Sequence, residues 1–175
     1  MKALIILGSA RSDGNTAAAA RHLLAQLSDD AELVDLLRYR IEPYSYALHT
    51  EADDFPVVAQ RMLAHPHIVF ATPVYWYAMS GGLKTFFDRL TDLIRGPAKH
   101  RGEALAGRTV WLLAAGTDRE LPPGFTEPFV RTAAYLGMSW GGAAYVRTGR
   151  HAPDPLAELA EVDRLAARLR STSGG

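Results

Sequence analysis

Strand and helix signals alternate along this chain without an obvious internal repeat, and that alternation most restricts its fold. Strands separated by helices pair in parallel through βαβ crossovers. The strand signals fall at 3–7, 32–36, 68–72, 109–115 and about 140–146, and the helix signals at 16–27, 55–65, 82–94, 125–136 and 155–169. In the third helix Leu83, Phe86, Phe87 and Leu90 recur at helical spacing and define a core face; in the last, Leu156, Leu159, Val162, Leu165, Ala166 and Leu169 do the same. Units of this size fit an α/β, doubly wound five-stranded parallel sheet of order 2-1-3-4-5 with helices on both faces. Ligands of such sheets bind beyond the carboxyl ends of the strands, at the switch between the first and third. The loops after Leu7 and after Thr72 therefore matter most.

The first of these loops lies in ILGSARSDGNTAAAARHLL, between a buried-strand run and a helix. A helix amino end carries unpartnered N–H groups and partial positive charge, which suits an anion and above all a phosphate. Gly8 and Gly14 permit tight backbone, Ser9, Ser12, Asn15 and Thr16 offer donors, and Arg11 adds a formal charge. The loop alone also reads as a turn followed by a helix cap, since Asp, Gly, Asn and Thr are favoured there. A Walker A loop is excluded because the second glycine stands one residue late and Asn15 occupies the lysine position. The G-x-G-x-x-G dinucleotide fingerprint fails at Ala10.

Length and composition narrow the classes. The 175 residues suit one domain, expected over 1–170 with a flexible tail at 171–175. A hydrophobic fraction of 48% with 22% charged residues describes an ordinary soluble globular chain. Nineteen basic and nineteen acidic residues cancel, so nucleic-acid binding has no electrostatic support. With no cysteine there is no disulfide, thiolate-held cluster or Cys nucleophile. The chain enters its first strand without a signal peptide and has no stretch long enough to span a bilayer, so the expectation is a cytoplasmic protein without membrane partners.

The second loop, in TPVYWYAMSGGLKTFFDRL, has the wrong composition for a mere connector. Pro73 fixes its own backbone and extends Thr72, and Gly81 and Gly82 allow close approach before the next helix. Between them Tyr75, Trp76, Tyr77 and Met79 offer a surface for a flat aromatic ligand. The same aromatic cluster also suits a subunit interface, and the two readings are compatible. A phosphate loop after the first strand and an aromatic loop after the third describe a ligand shaped like FMN.

GSARSDGNT and TPVYWYAMSGGLKTFFDR together resemble the NADPH-dependent FMN reductase family of flavodoxin-like proteins, which includes quinone, azo and nitro reductases; the resemblance spans nearly the whole chain. It implies that Ser9, Arg11, Asn15 and Thr16, with Gly14 in the same loop, bind the FMN phosphate. It implies also that Pro73, Val74, Tyr75, Trp76 and Tyr77 lie beside the isoalloxazine ring, and that Ala115, Gly116 and Thr117 form the third FMN-facing loop. That last loop continues as DRELPPGFTEPF, long for a βα connection, and reads equally as a lid or as a solvated excursion.

Some relatives carry cluster-binding cysteines where this chain reads RIEPYSYALHTEADDF; Tyr44, Tyr46 and His49 stand there instead, which sets a cluster aside. His49 near Glu51, Asp53 and Asp54 lacks supporting metal-ligand spacing, and Asp53 or Asp54 is expected to cap the following helix. His22, His65, His67, His100 and His151 are expected on or near exposed elements with no positioned nucleophile, and Lys84 with Asp88 as a surface i,i+4 pair. No catalytic side chain is therefore expected beyond the cofactor's own chemistry. The expectation is an NAD(P)H-dependent FMN oxidoreductase that reduces a quinone, azo, nitro or flavin acceptor by ping-pong hydride transfer, assembled as a homodimer or homotetramer. The alternative is a flavodoxin-like electron-transfer protein, disfavoured by the absence of the acidic charge that docking shuttles carry.

Overall fold

The computed structural model describes residues 2–27, 29, 31–46, 53–95, 100–149 and 155–172, with backbone alone at 155–158. Its elements run β1 (Ala3–Leu7), α1 (Asn15–Gln26), β2 (Glu32–Asp35), α2 (Phe55–Ala64), β3 (His67–Pro73), α3 (Gly81–Arg89), α4 (His100–Glu103), β4 (Thr109–Gly116), α5 (Glu127–Tyr135), β5 (Ser139–Arg147) and α6 (Pro155–Ser171). The strands form one parallel sheet in the order β2-β1-β3-β4-β5, the order expected. Every side chain of β1 and β3 is buried, because helices cover both faces of the sheet.

Strand periodicity divides the core in two. On one face Leu4, Ile6, Ile68, Phe70 and Leu112 meet Val58 and Met62 of α2, Leu83 and Phe86 of α3 and Phe129 of α5. On the other, Ile5, Leu7, Val69, Trp111 and Leu113 meet Ala17, Ala20 and Leu23 of α1 and Val162, Leu165, Ala166 and Leu169 of α6. Each fully buried Leu, Ile or Phe contributes about 1.5–3 kcal/mol relative to exposure. The core faces expected for the third and last helices are therefore in place, with Phe87 half-buried and packed on Phe70 at 4.8 Å between ring centroids. The side chain of Leu156 lies outside the described residues.

Most element boundaries fall within one or two residues of expectation, and two of the differences have a physical reason. β2 stops at Asp35, whose carboxylate accepts from the N–H of Leu37 at 3.1 Å and turns the chain into a 3-10 turn, Leu36–Arg38. The helix expected over 82–94 is α from Gly81 to Arg89 and 3-10 from Leu90 to Leu93, where Arg89 Nε donates to Asp92 Oδ2 at 2.6 Å. Side chains three apart eclipse in 3-10 geometry, which suits that pair. The short α4 has too few residues to show a period.

Arg89 also donates to both carboxylate oxygens of Asp53 and to the carbonyl of Glu42, at 2.9 Å, and sits 4.8 Å from the centre of the Phe55 ring. Both charged side chains are buried, so this pair fastens the segment after β2 to α3. Asp54 holds the N-cap position of α2 but makes no side-chain cap bond there, its carboxylate accepting instead from the N–H of Arg40, while Asp53, one residue earlier, accepts from the N–H of Phe55 at 3.1 Å. Burial alone would raise the Asp53 carboxyl; hydrogen bonds from Arg89 and from the N–H groups of Glu42 and Phe55 outweigh it and hold the group below its usual range.

The histidines need one correction. His67 is not near the surface: it opens β3 with 6% of its surface exposed, and its ring Nδ1 accepts from Trp111 Nε1 at 3.4 Å. Burial lowers its pKa, since strand register places it beside β4 in the sheet rather than at a solvated strand end. His22 on α1 meets Asp163 on α6 at 2.7 Å, and the Lys84–Asp88 pair forms as expected at 2.6 Å. His49, Glu51 and His151 lie outside the described residues.

Acid should loosen this fold in two stages. His67 stays neutral in the native state while the unfolded chain takes up a proton below about pH 6.5, so stability falls as pH drops through that value. Asp53 stays ionised while the unfolded chain protonates it near pH 4, so a second loss begins there and continues toward the lower native value. The urea midpoint measured from pH 8 to pH 3 should show both stages, and His67→Gln should remove the upper and leave the lower.

Candidate functional site

The loops leaving β1, β3 and β4 converge at the carboxyl edge of the sheet, and the first is seated by Gly8. A Cβ there would lie 2.5 Å from Leu83 Cβ, so only glycine lets the loop rest against α3. The Gly8 N–H donates to the carbonyl of Ala71 at 2.8 Å, and its carbonyl accepts from Ser80 Oγ at 2.6 Å. Ser80 Oγ in turn accepts from the N–H of Leu83 at 3.2 Å, capping α3, and the Ser80 N–H donates to Thr72 Oγ1 at 3.1 Å. One buried hydroxyl thus joins the first loop, the second loop and a helix end. Close approach falls here rather than at Gly81 or Gly82, where an added Cβ would meet nothing within 4 Å.

Farther along the first loop, Ser12 is occupied: its hydroxyl donates to the Asp35 carboxylate, and its carbonyl accepts from Arg21 at 2.9 Å. It is a strut for the loop rather than a free donor. Gly14 is the N-cap of α1 and has no side chain to cap with, and no acidic residue stands in the first turn. The helix end keeps its open N–H groups and partial positive charge. Arg11 beside it is exposed and has no acidic partner among the described residues; its guanidinium lies 3.4 Å from where a Gly14 Cβ would stand. Helix end and arginine together place positive charge here with no acidic partner among the described residues.

The second loop holds the most unusual backbone. Val74 N–H donates to the carbonyl of Ala115 at 2.7 Å, then Tyr75 and Ala78 exchange N–H to carbonyl bonds of 2.9 and 3.0 Å. The two residues between them, Trp76 and Tyr77, have φ of 49° and 62°. This is a tight turn of the kind that normally takes Asn-Gly. The left-handed conformation costs about 1–2 kcal/mol for each residue with a Cβ. Trp76 is 94% exposed and Tyr77 71%, while Met79 and Ser80 just beyond are buried.

Around the third loop, Gly116 packs so that a Cβ would fall 2.8 Å from Tyr145 Oη. Its carbonyl accepts from the Thr148 N–H at 2.7 Å and from Thr148 Oγ1 at 3.2 Å. Tyr145 Oη donates to the carbonyl of Asp118 at 3.0 Å, and Phe125 at the loop's far end is buried in the core. The long segment after β4 is thus pinned at both ends, with residues 117–120 exposed between them.

A cavity of about 190 Å³ opens among the three loops, lined by Ser9, Arg11, Gly14, Asn15, Thr16, Pro73, Val74, Tyr75, Ala115, Gly116 and Thr117. The site residues expected from sequence therefore come together, except Trp76 and Tyr77, which do not line the cavity and stand out into solvent. Thr148 joins the lining and was not expected. It follows β5 directly, and the register of Gly116 with Arg147 brings the end of β5 to the third loop. The donor set fits a phosphate at the α1 end, and the Val74, Tyr75 and Ala115 side fits a flat apolar ring. Pockets that engulf a drug-sized ligand begin near 300 Å³, so this cavity would cup such a molecule and leave one side accessible.

Comparison with known proteins agrees with that chemistry. Residues 1–146 match the model of the NADPH-dependent FMN reductase family. A Bacillus subtilis protein named as an NAD(P)H-dependent FMN-containing oxidoreductase, YwqN, is 31% identical over 151 residues, covering 81% of this chain and 82% of its own length. The structure of the Trp repressor binding protein of Bacillus subtilis superposes with a TM-score of 0.74 at 28% identity, covering 94% of this chain and 99% of that one. An NADPH-quinone reductase from P. pentosaceus has the same fold, with a TM-score of 0.70 at 17% identity over 100% of both chains. The chain belongs to the NADPH-dependent FMN reductase family, whose enzymes are FMN-dependent NAD(P)H oxidoreductases.

Proposed function

We propose that this chain oxidises NAD(P)H and reduces a quinone, azo, nitro or flavin acceptor in ping-pong order, with FMN held in the cavity between the three loops. One observation carries the reading: the loops of β1, β3 and β4 line a single cavity whose α1 end has an arginine and an open helix terminus but no acidic group. The chemistry FMN supplies when bound is hydride exchange at its N5 atom.

The residues have separable tasks. Arg11 and the first N–H groups of α1 hold the phosphate, with Ser9, Asn15 and Thr16 as further donors. Pro73 and Val74 give a rigid backbone wall for the ring, Tyr75 stands at its edge, and Ala115, Gly116 and Thr117 close the opposite side. Trp76 and Tyr77, projecting beyond the cavity, form the wall against which nicotinamide and acceptor are placed. Because one side of the cavity is open, the two substrates occupy the same place in turn, which is the ping-pong order. The two projecting aromatic residues also suit contact with a second copy of the chain, and a homodimer belongs to this reading.

Stopped-flow mixing of the FMN-loaded protein with NADH or NADPH should bleach the flavin band near about 450 nm, and a quinone added afterwards should restore it. Bleaching by a one-electron donor and by neither nicotinamide would favour an electron shuttle instead. Sedimentation of the FMN-loaded protein at micromolar concentration should show a dimer or larger; a monomer would remove the subunit contact.

Arg11→Ala should weaken FMN about 10- to 150-fold, since a hydrogen bond to a charged group contributes roughly 1.5–3 kcal/mol. Ser9→Ala should cost less, on the order of 1 kcal/mol, because backbone donors remain. Riboflavin, which lacks the phosphate, should bind both variants nearly as it binds the parent. Equal weakening of FMN and riboflavin would make the loop a structural turn rather than a phosphate site.

A further inference from the structure

A second cavity, of about 150 Å³, opens between the β1 loop, the chain that follows β2 and the first turns of α3. Leu36, Leu37, Tyr39 and Ile41 line it on one side, Gly82 and Thr85 on the helix side. Ser9 lines this cavity and the first, so the two meet at that residue. Ser9 belongs to the loop assigned above to the phosphate. The junction is therefore at the phosphate end of the flavin site and not at its ring end.

The walls are fixed, apolar and uncharged. Gly8, the residue before Ser9, is tied by its N–H to Ala71 and by its carbonyl to Ser80. Arg40, between Tyr39 and Ile41, is bonded in both directions to Asp54, at 2.7 and 2.8 Å, and both flanking residues pack on the core. Leu37 is 54% exposed, an apolar side chain left at the rim. At Gly82 an added Cβ would meet nothing within 4 Å, so the helix side is bare. No charged side chain is in the lining, and Lys84 nearby on α3 is paired with Asp88. Ser9, Tyr39 and Thr85 carry hydroxyls that can meet the polar edge of a ring. Walls held in place before binding lose little freedom when a ligand arrives. The volume is well under the roughly 300 Å³ at which pockets engulf a drug-sized molecule, which suits one flat base rather than a second flavin.

A ligand that fills both cavities carries a flavin ring at one end, phosphate in the middle and an uncharged flat ring beyond it. FAD is that molecule: FMN extended through its phosphate by adenosine monophosphate. We infer that the second cavity is an adenine site and that this chain takes up FAD as well as FMN, with the adenine seated among Leu37, Tyr39 and Gly82. This rests on the flavin site proposed above and goes beyond it, because FMN leaves the second cavity untouched.

Calorimetric titration of the flavin-free protein should show FAD binding at least as tightly as FMN. Gly82→Leu fills the second cavity from a position where a side chain meets no obstacle, and Leu37→Glu sets a charge at its rim. Each should weaken FAD roughly tenfold or more, the scale of returning one face of a flat ring to water, and leave FMN within twofold of the parent. Parental FMN affinity in both variants also shows that they are folded. Weaker binding of FAD than of FMN by the parent overturns the inference, as does either variant moving the two flavins together or leaving FAD unmoved. An adenine could also be brought by the nicotinamide substrate: if the variants raise the KM for NADPH in the FMN-loaded protein and leave FAD affinity alone, the cavity serves that adenine and the inference is overturned. Failure of the parent to bind FMN would instead overturn the proposed flavin site.

Discussion

The hydroxyl of Ser80 is the contact on which the candidate site depends. It donates to the Gly8 carbonyl and accepts from the N–H of Leu83, while the backbone N–H of the same residue reaches Thr72 Oγ1. Ser80 and Thr72 are buried, so none of these groups could turn to water instead. Leaving such a group unpaired costs about 1–3 kcal/mol, more than a typical hydrogen bond contributes net. The energetic asymmetry fixes the separation of the first and second loops. With Gly8 pressed against Leu83, the β1 loop can move only if α3 moves, and α3 carries the core residues Leu83 and Phe86. Precision at the site is thus borrowed from the core.

A second constraint holds the opposite flank. Arg89 and Asp53 are both buried, and burying two charges gains little over an apolar pair of the same shape. Its value lies in position: Arg89 reaches Asp53, the Glu42 carbonyl and Asp92 at once. The segment after β2 has no strand or helix of its own from residue 40 to residue 46, and this cation supplies the fixed point that backbone pairing would otherwise provide. Removing either partner would strand the other charge in the interior, which is far more costly than never having had the pair.

How much of this could be read from the chain follows from the range of each interaction. The parallel sheet is legible because it follows from the alternation of elements, its order because five βα units of this size fit a known doubly wound arrangement, and the cavity lining because its residues cluster just after the strands. Contacts between residues distant in sequence are not legible. Ser80 and Gly8 are 72 positions apart, and Arg89 and Asp53 are 36, with no local pattern to announce either. His67 reads as a polar residue at a strand boundary, and only the pairing of β3 with β4 shows it buried beside Trp111. Thr148 could have been found: in this sheet order β5 neighbours β4, so the residue after β5 had to lie near the third loop.

Among the described residues, Trp76 and Tyr77 are the non-glycine residues with positive φ, and at this turn local preference and fold disagree. Glycine or asparagine would adopt those dihedrals at less cost, and two bulky aromatic residues stand there instead. Their side chains return nothing to the fold, being 94% and 71% exposed. A strained backbone persists only where its surroundings over-determine it, and here they do. The reciprocal bonds between Tyr75 and Ala78 close the turn, Val74 ties it to β4, and the buried Ser80 anchors its far side. The strain is therefore held against the stability of the sheet and not relieved by packing. What the chain obtains is two aromatic faces projected rigidly beside the candidate site, which a relaxed Asn-Gly turn could not supply.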